Sequence, residues 1–138
     1  MRREKSLRPP FYLHKGDITK TPFGEETCDV AVSISTLEHG VDLEGFFAEA
    51  GRILKPGGAL FITTDYWDKR INTNGAARAF GLPWKIFSAD QIGDLLKVAG
   101  NHGFGLTQEC AVPPCLDRPV SWQGHDYTFI AIELKKGH

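Results

Sequence analysis

Paired cysteine is missing from this 138-residue chain. Its three cysteines, Cys28, Cys110 and Cys115, are odd in number and form no C-x-x-C pair. That excludes a closed disulfide framework and offers no zinc-ligand spacing. The five histidines are scattered, so no metal centre is expected. Such cysteine usage fits a reducing, cytoplasmic setting. An excess of one charge is also missing, with 16 basic residues against 17 acidic ones. No basic stripe appears, and a nucleic-acid partner is not expected. No apolar run approaches the ~18 residues of a membrane helix, so no membrane partner is expected either. The start, Met1-Arg2-Arg3-Glu4-Lys5, is basic but has no apolar segment behind it and does not read as a secretory signal. Finally, no glycine-rich turn opens a helix. The one G-x-G, Gly103-Phe104-Gly105, follows a predicted helix, which argues against a nicotinamide-binding enzyme.

What is present suits one domain over residues 1–138, long enough to bury roughly two-thirds of its unfolded surface. Phe11-Tyr12-Leu13-His14 reads as a short strand that stops at Gly16-Asp17. Val30 to Ser35 is a stronger strand, mostly apolar without clean alternation, as in a parallel strand buried on both faces. From Asp42 to Leu54, apolar residues at Leu43, Phe46, Phe47, Ala50, Ile53 and Leu54 share one helical face, with Asp42 as N-cap. Lys55-Pro56-Gly57-Gly58 ends that helix, and Ala59 to Thr64 is the next strand. Asp65 to Phe87 has no period and reads as a long functional loop. Ser88-Ala89-Asp90-Gln91 is a capping box. It opens a helix whose apolar face is Ile92, Leu95, Leu96 and Ala99 and which stops near Gly103. A weak strand around Leu106 to Val112 and a strong one from Tyr127 to Leu134 flank an irregular loop, Pro113 to Asp126. Strands alternating with helices indicate an α/β fold with a mostly parallel sheet.

Three of these stretches carry a resemblance. Cys28-Asp29-Val30-Ala31-Val32-Ser33-Ile34-Ser35-Thr36-Leu37-Glu38-His39 resembles the fourth strand and following loop of class I S-adenosylmethionine-dependent methyltransferases. Arg52-Ile53-Leu54-Lys55-Pro56-Gly57-Gly58-Ala59-Leu60-Phe61-Ile62 resembles their R-x-L-K-P-G-G-x-L signature before the fifth strand. Gly16-Asp17-Ile18 with Pro22-Phe23 resembles the acidic segment after the third strand. The resemblance runs from about residue 11 to 136 and implies a partial Rossmann-like methyltransferase fold. In it the Val30, Ala59, Tyr127 and Leu106 strands lie in that order, with the Tyr127 strand antiparallel near the C-terminal edge.

Loops at the carboxyl ends of parallel strands form the ligand crevice of such folds. By the resemblance, Asp17 accepts from the adenine amine of S-adenosylmethionine and the Ile18 amide donates to a ring nitrogen. Ser35, Glu38 and His39 lie near the methyl-donor sulfur, with His39 the candidate proton acceptor. Tyr66 and Trp67 lie on the side of a small-molecule substrate. Each has a plainer alternative: Asp17 capping a turn, Glu38 and His39 as solvated loop residues, and Tyr66, Trp67 and Trp84 as packing. The family's first strand, glycine-rich turn, helix and second strand match nothing here. Weak or no activity is therefore expected of the isolated chain, as is a bare edge on the Val30 strand. A homodimer covering that edge is expected, the alternative being the Phe11 strand moving into the vacant slot. The alternative to an enzyme is a non-catalytic fragment or interaction module that keeps the fold without the cofactor site.

Overall fold

The computed structural model describes residues 12–73, 78–108 and 115–138. Its first regular element is strand β1, Cys28–Ile34, followed by a 3-10 turn, Leu37–His39, and helix α1, Leu43–Ile53. The Asp42 carboxylate accepts from the Gly45 amide at 3.1 Å, which satisfies one of the free donors at the helix start. Strand β2, Leu54–Tyr66, comes directly after the helix. The short hairpin β3, Arg78–Ala79, and β4, Leu82–Pro83, then precedes helix α2, Ala89–Asn101. At the head of α2 the Ser88 amide donates to Gln91 Oε1 at 3.0 Å, half of the capping box expected there. Strands β5, Phe104–Leu106, β6, Val120–Trp122, and β7, His125–Lys136, complete the described chain.

The sheet order is β1-β2-β7-β5, with β6 paired to the start of β7. β1 and β2 are parallel, and β7 runs antiparallel to both β2 and β5. Three strands of the path therefore point one way and β7 the other, the arrangement that the resemblance implied. Both helices cover one sheet face. Leu60, Ile62, Ile132 and Leu134 from the sheet meet Phe46, Phe47 and Ala50 of α1 and Ile92, Leu95 and Ala99 of α2. A second, smaller core gathers Trp67, Ala79, Trp84, Ile86 and Tyr127.

Four expectations need correction. The residues expected as the Phe11 strand are not in a strand where described: Tyr12 to Gly16 carry no regular structure, and Tyr12 and Leu13 are exposed. Phe11 itself lies outside the described residues. No described strand pairs with β1 except β2, so a four-residue aromatic run found no sheet partner to hold it extended. The third strand begins at Leu54, not Ala59, because Leu54 pairs with Cys28, and Lys55 to Gly58 are carried as a bulge before Ala59 pairs with Val30. The two expected loops are partly structured, the first by β3–β4 and the second by β6, which pairs antiparallel to β7 through Trp122 and His125. The weak strand is confined to Phe104–Leu106, with Thr107 and Gln108 outside it; residues 109–112 of that expectation lie outside the described residues.

Candidate functional site

β1 and β2 end together, and their carboxyl ends carry the candidate site. Ser35 leaves β1 with φ +47°, a left-handed conformation uncommon for a residue with a side chain. Its amide donates to the Thr63 carbonyl at 3.0 Å. This sharp exit drops the chain into the 3-10 turn, which buries Leu37 and Glu38 almost completely. Thr64 Oγ1 donates to Glu38 Oε2 at 3.1 Å. The next residue of β2, Asp65, is also buried, and its Oδ2 accepts from Trp84 Nε1 at 2.7 Å. The Tyr127 hydroxyl lies near enough to Asp65 for each to shift the other's ionisation.

Two buried carboxyls thus stand at adjacent strand ends, and neither forms a salt bridge with a Lys or Arg among the described residues. Burial pushes both up from the ordinary carboxylate range. For Glu38 the charge of Asp65 adds to the rise, and His39 counteracts it at both groups. Burial, with the Asp65 charge beside it, also pushes the Tyr127 hydroxyl up to about 12. His39 is half-buried, its Nδ1 lies 3.2 Å from the Pro83 carbonyl oxygen, and Nε2 has no hydrogen-bond partner among the described residues.

Ser35, Glu38 and His39 are brought to one end of the sheet with Asp65. Tyr66 and Trp67 flank that point but point into packing. Tyr66 belongs to the core between sheet and helices, and its hydroxyl donates to Asp68 Oδ1 at 2.8 Å. Burial pushes that hydroxyl up to about 12. Trp67 lies in the smaller core with the Arg118 guanidinium 3.8 Å from its ring centre. From the sequence, Asp65 was expected at this sheet edge but given no role, and Trp84 and Tyr127 were not singled out as site residues. Asp65 carried the one available signal, an acid directly after an apolar strand.

Asp17 and Ile18 belong to the segment before β1. Asp17 Oδ1 accepts from the Thr19 amide at 2.8 Å and from Thr19 Oγ1 at 2.7 Å, the turn-capping role weighed as its alternative. These bonds hold its carboxyl below the usual range. Oδ2 and the Ile18 amide have no hydrogen-bond partner among the described residues. The segment is tied to α1 by a charged pair that the sequence reading had not used. The buried Glu49 carboxylate accepts from the Thr21 amide at 2.8 Å and from Arg52 Nε at 2.8 Å, and Arg52 donates to the Phe23 carbonyl at 2.8 Å. These bonds, the Arg52 ones foremost, hold the Glu49 carboxyl down at about 2. Between this segment, α1 and the free edge of β1 runs an apolar groove of about 380 Å3, lined among others by Ile18, Phe23, Ser33 and Thr36. The Ser33 hydroxyl is buried there without a hydrogen-bond partner among the described residues.

Fold, strand order and signature stretches define one class of protein: the chain belongs to the class I S-adenosylmethionine-dependent methyltransferases, whose cofactor is S-adenosylmethionine. A family model described as a methyltransferase domain matches residues 1–62. Among curated relatives, the chain is 30% identical over 104 residues to the sterol 24-C-methyltransferase of Schizosaccharomyces pombe, covering 69% of this chain and 26% of that protein. It is 39% identical over 77 residues to the mitochondrial ubiquinone biosynthesis O-methyltransferase of Homo sapiens, covering 56% of this chain and 18% of that protein. A solved S-adenosylmethionine-dependent methyltransferase from Mesorhizobium loti shares the fold, with a TM-score of 0.62 at 16% identity over 89% of this chain and 68% of that one. The matched part of this chain thus spans about a quarter or less of the length of these two relatives.

Proposed function

We propose that this chain forms the acceptor-facing part of a methyltransferase that moves a methyl group from S-adenosylmethionine to a small molecule. The observation that carries this reading is the meeting of Glu38, His39 and Asp65 at the carboxyl ends of two parallel strands, where such folds bind ligands. The Asp17 Oδ2 and the Ile18 amide would hold the adenine. Ser35 and Glu38 would border the reacting end, and Tyr66 and Trp67 would brace the acceptor's side from within the packing. S-adenosylmethionine supplies an electrophilic methyl group on a sulfonium when bound. The chain's own part is alignment, which dominates such transfers, and uptake at His39 Nε2 of the proton that a hydroxyl or amine acceptor releases. The sterol and ubiquinone enzymes among the relatives support a small organic acceptor.

The same reading keeps residues 1–138 as one partial domain with weak or no turnover alone, working in the cytoplasm as a homodimer. The free thiols of Cys28 and Cys115 suit that compartment. The second reading, a non-catalytic module that keeps the fold without the cofactor site, is favoured by the free edge of β1. Calorimetric titration with S-adenosylhomocysteine separates the expectations. No micromolar binding by this chain, with turnover once a glycine-rich half is supplied, is the expected result. Micromolar binding by the chain alone overturns the claim that it is inactive in isolation. No turnover in the complemented protein favours the module. In that protein His39→Ala is expected to lower kcat 10²-fold or more; unchanged turnover removes His39 from the mechanism.

A further inference from the structure

We propose that Trp84 is a positioning residue for His39, holding the imidazole in the one tautomer that leaves Nε2 free to take a proton. The inference deepens the functional reading and rests on it. A carbonyl oxygen can only accept, so the contact of 3.2 Å between His39 Nδ1 and the Pro83 oxygen requires the hydrogen to sit on Nδ1. A neutral imidazole has one N–H, and its lone pair is then on Nε2. The carbonyl of Pro83 therefore decides which nitrogen is the base.

Pro83 does not stay in place by itself. It ends a hairpin of two residues per strand, too small to be stable alone in water. The hairpin tip offers no anchor, since Phe80 is 98% exposed. The hairpin's anchors are Ala79, buried in the smaller core, and the residue next to Pro83. Trp84 is buried, its Nε1–H donates to Asp65 Oδ2 at 2.7 Å, and its carbonyl accepts from Thr73 Oγ1 at 3.0 Å. Its ring meets Trp122 edge-on, with centroids 4.7 Å apart, and lies 5.6 Å from Tyr127. One residue further, the Lys85 amide donates to the Glu38 carbonyl at 3.0 Å.

Three consecutive residues therefore hold the site, two gripping the turn that carries His39 and the third gripping the end of β2 beside it. The Pro83 carbonyl takes the imidazole, the Trp84 indole takes Asp65, and the Lys85 amide takes Glu38. Gly40, beside His39, lets the grip close. It has φ +77°, and an added Cβ would lie 3.2 Å from Pro83 Cβ. A hydrogen bond already at 3.2 Å weakens further if the hairpin shifts by an ångström. Trp84 touches neither the acceptor's proton nor the imidazole, and its effect on chemistry passes through Pro83.

The test reads the tautomer directly, through the ring-nitrogen chemical shifts of His39 in the 15N-labelled chain. The Nδ1–H form is expected to dominate. Trp84→Phe keeps the ring and removes the donor, and is expected to raise the Nε2–H fraction at least threefold. A dominant Nε2–H form in the unmodified chain, or an unchanged ratio in the folded variant, overturns the proposal. Should Trp84→Phe fail to fold, Thr73→Val decides. It releases the Trp84 carbonyl at one side-chain oxygen and should move the ratio in the same direction; no movement overturns the proposal. The His39→Ala turnover result stands apart from these. Normal turnover there defeats the base assignment while the tautomer data still report whether the clamp exists.

Discussion

At the scale of single residues, the site is expensive to fold. Glu38 and Asp65 are buried carboxyls whose charged forms the surroundings disfavour, and buried charges normally come paired. Their retention at strand ends fits a group kept for function at a cost in stability. The pH dependence follows from linkage. Because the folded-state value of Glu38 lies above its ordinary 4.5, the folded chain holds that proton more tightly than the unfolded one. The contribution of this group is therefore best below the unfolded value. It is lost as pH rises through that value towards the folded one. Glu38→Gln keeps an acceptor for Thr64 and cannot ionise. Denaturant unfolding at pH 4 and pH 8 should show the stability difference moving in favour of the variant as pH rises. A pH-independent difference would mean that Glu38 does not carry the penalty.

At the scale of elements, what could be read from the sequence was what local chemistry determines. Helix α1 appeared through its apolar face and the Asp42 cap, and α2 through its capping box, because both signals act within a turn or two of chain. The strand order came from the resemblance, since nothing in the residues of Tyr127 to Leu134 says which neighbours they pair with. The hairpin Arg78–Pro83 and strand β6 were missed for a related reason. They are two or three residues long and exist through Trp84, Tyr127 and Trp122, tertiary contacts that no window of sequence contains. Asp65 was therefore legible as an acid after a strand at the ligand edge but not in its role, which depends on Trp84, 19 residues on. The Lys55-Pro56-Gly57-Gly58 turn was legible as a helix stop but not as a strand bulge. Gly57 adopts φ +75°, and a Cβ on Gly58 would lie 2.8 Å from the Lys55 oxygen and 3.1 Å from the Asp29 oxygen. Both atoms are backbone, so neither can give way cheaply. Gly58→Ala should cost about 2 kcal/mol in denaturant unfolding, and a change below a few tenths would show that the bulge is soft.

At the scale of the whole molecule, the two helices share one sheet face and leave much of the other without a covering layer. On that face Val30, Val32 and Ile34 of β1 are 58%, 58% and 66% exposed, and Phe61 and Phe129 are 37% and 52% exposed. The register joins them, because Val32 pairs with Phe61, and Asp65, two pairs further along β2 on the same face as Ile34 and Thr63, pairs with Phe129. The patch borders the edge of β1 that no described strand pairs with, whose groove holds the Ser33 hydroxyl, unpartnered among the described residues. Contiguous apolar surface of this kind, next to an open strand edge, draws other chains. A twofold dimer covers a self-complementary patch with one contact repeated on both partners. The dimer proposed above would therefore bury Val30, Val32 and Ile34, and a charge in their midst should prevent it. Val32→Asp points outward in the single chain, so it should leave the monomer fold in place while blocking association. Light scattering at tens of micromolar is expected to give a mass near twice 15.3 kDa for the unmodified chain and a single 15.3 kDa species for the variant, with matching circular dichroism. A clean monomer for the unmodified chain would count against the dimer, and a dimer that survives Val32→Asp would place its interface elsewhere.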